Sequence, residues 1–475
     1  MDLIILFPAV ACWVVLARGS ARSALINVYL PSVLLLPQYF ELRFPHLPPL
    51  TFADAAIVPL GIALCVSEMR RWRFDWMDLF VVLYAVSTAL SEGFSTVLAE
   101  GTWPRLFTSP AETLPGNVNN GIFELITGTM TVILPYMVGK LLIEGGEYKG
   151  QPVRKVFLQR MATMLAFVAV VSVFDFLTGR STWQATFKHF FPDQPLLWPT
   201  QVRWGFGRIT GAYAHAILAG MVFLMGLTYC VWLRSFAPGW GVRKIIKGLP
   251  LTLRGLVLWA IIGGLLMTQS RGPWLGVMLA MVFVYLMRTL AVAKATVIFL
   301  LLLAVFSTAG YLLGNAYTKA GPTQGLSEEQ QTAIYRRDLV HNYMPAVKIR
   351  KLFGWGITTY PAMGGQKSID NEFLLLAVTQ GLVGLGLFLL IVAGSGGRLL
   401  WLAARPMVAE DRGLIVAHLA VLIGMMTALA TVYLGEQAAL LFFVVVGWVQ
   451  GMNPPRVSVE GRGAIASFGF RRVLT

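Results

Sequence analysis

Residues 295–314 read ATVIFLLLLAVFSTAGYLLG, twenty consecutive positions without a charged side chain. An α-helix rises about 1.5 Å per residue, so this run is roughly 30 Å long, the thickness of a bilayer's hydrocarbon core. The run is not isolated. Comparable apolar stretches fall near 2–17, 23–38, 50–67, 76–91, 122–143, 156–178, 211–233, 254–269, 273–288, 372–396, 413–433 and 436–452, which makes thirteen expected segments. The second is interrupted by Pro31 and Pro37 and is expected either to cross or to re-enter. Across the 475 residues, 13% are charged, 56% are hydrophobic and the mean hydropathy is +0.68. So few charges leave a soluble enzyme of this size with too much exposed apolar surface, and the apolar content excludes a disordered chain. The expected fold class is an all-α polytopic membrane protein of about 12–13 transmembrane helices with one long outward-facing loop.

The formal net charge is +15. Assigning loops alternately to two sides places 24 of the 38 basic residues on one of them, from Arg18 and Arg22 through Arg70–Arg73, Lys140, Arg154, Arg234, Arg254 and Arg398 to Arg472. Basic residues accumulate in cytoplasmic loops, so that side and the C-terminus are expected inside. The charge surplus is read as topology, with no nucleic-acid partner. Of the remaining basic residues, most sit in two outward loops, 179–210 and 315–370. Expected units are N-terminal membrane helices 1–178, a core region 179–396 carrying both loops, C-terminal helices 397–452 and a tail 453–475. No cleaved signal is expected, since no basic residues precede the first apolar run. Cys12, Cys65 and Cys230 all lie in apolar runs, and no Cys/His cluster or Asp-x-Asp marks a metal site.

Basic residues on the outward side run against the topological trend and ask for a reason. In loop 315–370, Ser327-Glu328-Glu329-Gln330 is a capping box that opens a helix. Tyr335, Leu339, Tyr343 and Val347 form its apolar stripe, and Arg337, His341 and Lys348 share another face. Pro345 is expected to bend or end this helix before Lys348. Arg336 and Arg337 are either a solvated face or an anion site. Arg271 stands just before the helix that Pro273 is placed to start, where the helix dipole disfavours a cation. It either snorkels to headgroups or holds an anion. Arg208 likewise stands where an outward loop enters a membrane helix. Arginine suits phosphate because its planar fork donates paired hydrogen bonds and keeps its charge. Asp370-Asn371-Glu372 opens the next apolar segment, where capping accounts for all three and a general base at the membrane edge is the functional alternative. His215 and His418 fall in apolar helices and are read as packing residues.

Taken in order, Arg208-Ile-Thr-Gly with a following His-containing helix start, Ser270-Arg271-Gly272, the run from Tyr335-Arg336-Arg337 to Phe353-Gly354-Trp355-Gly356, and Asp370-Asn371-Glu372-Phe373-Leu374 followed by Gly381-Leu382-Val383-Gly384 resemble the O-antigen ligase and Wzy-type polysaccharide polymerase superfamily. The resemblance covers about residues 205–395. It implies a GT-C-like helical glycosyltransferase at the periplasmic face of the bacterial inner membrane. Such an enzyme transfers a glycan from an undecaprenyl-diphosphate carrier to a sugar hydroxyl with inversion, without a metal or other cofactor. Carried over by position, Arg208, Arg271 and one of Arg336 or Arg337 would bind the diphosphate. Ligases of the family commonly carry His-Asn where this chain has Asp370-Asn371, which favours the polymerase branch and leaves Asp370, Glu372 and His341 as competing bases. Implied partners are the lipid-linked donor, a glycan acceptor and membrane lipids, with a chain-length regulator and a flippase as further family associates. The rival class is a transporter or flippase, for which Asp54 and Asp175 are the few buried charges.

Overall fold

The computed structural model describes residues 2–44, 47–94, 118–194, 201–244, 252–319, 328–361, 366 and 368–453. Ser327 of the expected capping box and nearly all of the tail 453–475 lie outside these residues. The described chain is helical, with two short hairpins as its paired strands. A helix stands at each of the thirteen expected segments. Seven of those described are long and apolar enough to cross a membrane: Asn120–Ile143, Val153–Thr178, Ala216–Phe236, Arg271–Thr289, Val292–Ala316, Gly381–Ala403 and Ala409–Leu429. Four shorter apolar helices, Ala21–Leu35, Phe52–Ser67, Leu253–Met267 and Gln437–Gly451, pack among them. The chain is therefore an all-α polytopic membrane protein.

The proline-interrupted segment 23–38 becomes the helix Ala21–Leu35, in which a π turn, Leu25–Tyr29, precedes Pro31. The same device recurs at Thr129–Ile133, ahead of Pro135. Proline removes an amide donor and crowds the carbonyl four residues back; a widened turn just before it gives the ring room. Leu36 turns extended and the helix ends before Pro37.

One continuous apolar core runs through the bundle, from Cys12 and Tyr29 through Tyr136, Leu165, Phe223 and Phe388 to Trp448. Its tightest seam joins Asn120–Ile143 to Gln437–Gly451. A Cβ on Gly139 would strike the carbonyl of Val444, and one on Gly447 the carbonyl of Tyr136, so the two backbones meet through reciprocal glycines. His418 packs in this core as expected: its Nδ1 lies 2.9 Å from the Tyr229 hydroxyl and its ring lies edge-on to Trp448.

The two ends of the bundle differ in chemistry. At one end basic residues meet acids or carbonyls. Lys140 pairs with Asp78 at 2.5 Å, Arg154 with Glu410 and Asp411 at 2.8 Å, and Lys155 with Glu410 at 2.8 Å. Arg398 donates to the carbonyls of Val449, Gln450 and Met452, closing the last helix. The opposite end gathers Leu35–Glu41, the loop 179–215, the turn at 268–271 and the chain around 371 and 430–437.

Candidate functional site

At that second end, the helix Leu253–Met267 stops at Thr268 and the chain reverses within three residues. Gln269 takes a left-handed conformation, φ 49°, and Ser270 caps Arg271–Thr289. Arg271 is thus the first residue of that helix, and Pro273 is its third, a correction to the expected start at Pro273. The exposed Arg271 guanidinium sits at the positive pole of the helix dipole.

A hairpin lies against this turn. Val202–Arg203 pairs with Phe206–Gly207 across Trp204 (φ 54°) and Gly205 (φ 80°), the geometry of a two-residue turn whose hand matches strand twist. Phe206 stacks on Phe176 with centroids 4.7 Å apart, and Ile209 donates its amide to Met267. The hairpin thereby delivers two arginines to the turn. Arg203 Nη1 donates to the Gln269 carbonyl at 2.8 Å. Arg208 donates from Nε to the Thr268 carbonyl at 3.1 Å, from Nη2 to Ser270 Oγ at 3.0 Å, and from Nη1 to Gln201 Oε1.

Arg208 is 6% exposed, and every one of these acceptors is neutral. Among the described residues no carboxylate pairs with it. Burial, and then the charge of Arg203, push its pKa down to about 10, so it stays a cation at neutral pH. A buried cation without a counter-charge is costly, by several kcal/mol after relaxation.

The long loop completes the site. The expected stripe Tyr335, Leu339, Tyr343, Val347 packs on Trp355, Ile369, Leu374 and Val378, so the helix Glu328–Ile349 lies on protein. It continues through Pro345 rather than ending there, because tertiary packing on both sides of the proline holds it. The Tyr335 hydroxyl donates to the Ser368 carbonyl at 2.7 Å, and Ser368 Oγ donates to Asp370 Oδ1 at 2.6 Å. These bonds bring Arg336 and Asp370 together. Arg336 is held below the usual guanidinium range by burial; Asp370 opposes that shift, and Arg271 and then Arg203 add to it. Each of these groups is therefore close enough to be felt electrostatically.

The other expected residues are placed differently. Arg337 is exposed and donates to its neighbour Asp338 at 3.0 Å, one helical step away from the face of Arg336. His341 is exposed on the surface of the same helix, off the packed stripe. Glu372 is 4% exposed and accepts the Leu434 amide at 2.7 Å, clamping the connection between Ala409–Leu429 and Glu436–Gly451. Asn371 caps the helix Glu372–Thr379, accepting the Leu374 amide at 3.0 Å. Asp370 is left half-buried beside the arginines.

Two residues here were not singled out in the sequence. Arg203 was legible only as one basic residue of a long loop; the signal was its position across a Trp-Gly turn from Phe206. His215, read as packing, caps Ala216–Phe236: its Nδ1 accepts the Ile217 amide at 3.2 Å. Burial and the nearby Arg208 push it down to about 4, with Asp370 opposing. It is neutral at pH 7, and because Nδ1 accepts, its proton resides on Nε2. The signal was a histidine at the first turn of an apolar run, where capping residues belong.

Residues 256–389 match the family model Wzy_C, described as O-Antigen ligase. This stretch is similar to O-antigen ligase domains of that model. The match agrees with the resemblance to the O-antigen ligase/Wzy superfamily. The domain contains Arg271, Arg336 and Asp370, while Arg203, Arg208 and His215 lie upstream of it. No curated protein matches the chain.

Asp54 and Asp175, the charges a transporter reading would use, serve helix ends. Asp54 forms a reciprocal capping box with Thr51, and Asp175 Oδ1 accepts the Thr182 amide at 2.9 Å.

Proposed function

We propose that this protein is a periplasmic-face glycosyltransferase of the bacterial inner membrane. It polymerises undecaprenyl-diphosphate-linked oligosaccharide repeat units, of O-antigen or exopolysaccharide, by inverting transfer. The carrying observation is Arg208: a cation buried among neutral oxygens, beside Arg203 and near His215, which also feels the half-buried Asp370. Arg271 and Arg336 share that neighbourhood. Such a set is electrostatically incomplete until an anion with several oxygens enters, and a diphosphate meets that need.

In this reading the acceptor sugar's hydroxyl oxygen attacks the anomeric carbon on the face opposite the diphosphate. The bond from that carbon to the diphosphate oxygen breaks, and its electron pair leaves with the diphosphate. Arg203, Arg208, Arg271 and Arg336 neutralise the charge that develops there, the role a metal plays in other transferases. The His215 Nε2–H adds a neutral donor. Asp370 takes the hydroxyl proton as the new bond forms, an effect usually worth ~10²–10⁴-fold. Arg337, His341 and Glu372 have no part in this scheme.

The test is reconstitution of the purified chain with lipid-linked repeat units in the presence of a chelator. Lengthening of the glycan is expected. Unchanged single units, from protein that still binds the donor, would overturn the polymerase reading. The description of the matched family as a ligase favours a second reading, transfer to a lipid A–core acceptor. Adding that acceptor to the same assay separates the two, since a ligase converts it without lengthening the donor glycan.

A further inference from the structure

A second basic site lies at the bundle end remote from the arginine cluster. The hairpin Glu147–Tyr148/Gln151–Pro152 turns through Lys149 (φ 51°) and Gly150 (φ 74°). Lysine is strained in a left-handed conformation, and the surrounding contacts hold it there. The Tyr148 hydroxyl accepts from Asn27 Nδ2 at 2.9 Å, fixing the hairpin to Ala21–Leu35, and Val153 returns its amide to Gly146 at 3.0 Å. Beside the hairpin is an open groove of about 310 Å³ lined by Tyr148, Lys149, Gln159, Arg160, Thr163 and Trp240.

The cations of this groove differ from their neighbours. Lys140, Arg154, Lys155 and Arg398 at the same end each reach a carboxylate. Among the described residues, Lys149 meets Tyr148, by a side-chain hydrogen bond and with its ammonium 5.5 Å from the ring, and no ion pair with an acid is seen for Lys149 or Arg160. Gln159 supplies a neutral amide donor beside Arg160, while the Thr163 hydroxyl donates to the Gln159 carbonyl at 2.8 Å. From Arg160 an exposed stripe continues along Val153–Thr178 through Thr163, Phe167, Val170, Phe174 and Leu177. The spacing of three and four residues keeps all of these on one face of the helix. Hairpin and helix together thus offer two cations not paired with an acid, and the helix adds a bulky apolar track running from them toward the other end. Trp240 borders the groove, and tryptophan favours the headgroup level of a bilayer.

We propose that this groove binds an anionic phospholipid, its phosphate held by Lys149 and Arg160 and one acyl chain lying along Phe167, Val170, Phe174 and Leu177. Basic pockets at helix ends of membrane proteins recognise anionic headgroups in this way. The site stands apart from the arginine cluster and holds whether or not the proposed transferase activity does.

The test is native mass spectrometry of the full chain released from nanodiscs containing equal phosphatidylglycerol and phosphatidylethanolamine. Wild-type protein is expected to retain phosphatidylglycerol preferentially. Lys149→Gln and Arg160→Gln are each expected to reduce that retention by roughly fivefold, the worth of one basic residue at an anionic surface. Lys149→Arg with Arg160→Lys should preserve it, as should Lys244→Gln, an exposed cation outside the groove. Equal retention of both lipids by wild type, or an unchanged preference in the double Gln variant, would overturn the proposal. So would displacement of the bound lipid by millimolar inorganic phosphate, which would mark a phosphate site without an acyl track.

Discussion

Replacing Arg208 by methionine separates the two roles its surroundings allow. As a clamp, Arg208 makes three hydrogen bonds, two to the turn at 268–270 and one to Gln201 beside the hairpin, each worth roughly 1 kcal/mol net. As a buried charge it carries a penalty. The fall of its pKa from the ordinary guanidinium range to about 10 corresponds to roughly 3 kcal/mol set against the cation, at about 1.36 kcal/mol per tenfold change. The two terms nearly cancel. Arg208→Met, which fills similar volume without charge, is therefore expected to shift the thermal midpoint of the detergent-solubilised protein by less than about 3 °C. Transfer should fall by about 10²–10³-fold, the cost of removing one donor from a developing anion. Saturating pyrophosphate should raise the wild-type midpoint, since a ligand at a hundredfold its Kd adds about 2.7 kcal/mol, and should leave the variant unmoved. A midpoint lowered by 8 °C or more, or transfer within tenfold of wild type, would show that Arg208 is a strut and that the anion lies elsewhere.

The remaining predictions concern its neighbours. Asp370→Asn should abolish transfer while pyrophosphate still stabilises the protein, whereas Arg337→Ala and His341→Ala should retain transfer within a few-fold; activity lost in either of the latter returns them to the site. Glu372→Gln keeps the bond to the Leu434 amide but weakens it, so stability should drop by about 1–2 kcal/mol with activity per folded molecule unchanged, as measured by thermal unfolding beside turnover. Pyrophosphate affinity should fall as pH rises through about 10, where Arg208 loses its proton, and His215, neutral down to about 4, should contribute no gain in affinity between pH 7 and 5. Gly447→Val should prevent assembly of the seam with Gly139, read as aggregation on size exclusion.

What the sequence disclosed follows from the range of each signal. Hydropathy is local and strong, so every apolar run proved to contain a helix, including the one broken by Pro31 and Pro37. Helix length was less legible, because Ala21–Leu35 and Leu253–Met267 end at turns fixed by packing rather than by composition. Pro345 misled for the same reason: the stripe on either side of it is buried against Trp355 and Ile369, and that contact outweighs one lost backbone bond. Among the site candidates, the choice between Arg336 and Arg337 depends on a 100° rotation about one helix, which no spacing rule resolves until the buried face is known. Glu372 looked equivalent to Asp370 in sequence, yet two residues along the chain turn it from the arginines to the Leu434 amide. Arg203 and His215 were hidden because their significance is relational. Each matters through a residue in a different segment, Gln269 for one and Arg208 for the other.

The Wzy_C match begins at residue 256, after the hairpin and the cap of Ala216–Phe236. A chimera exchanging only 256–389 with a relative would bring a foreign reversal at 268–271 against a native Arg208, two of whose three side-chain bonds depend on the exact course of that turn. Swaps intended to transplant donor preference must therefore carry 201–215 along with the conserved-looking block, and those that omit it should yield well-inserted but inert proteins.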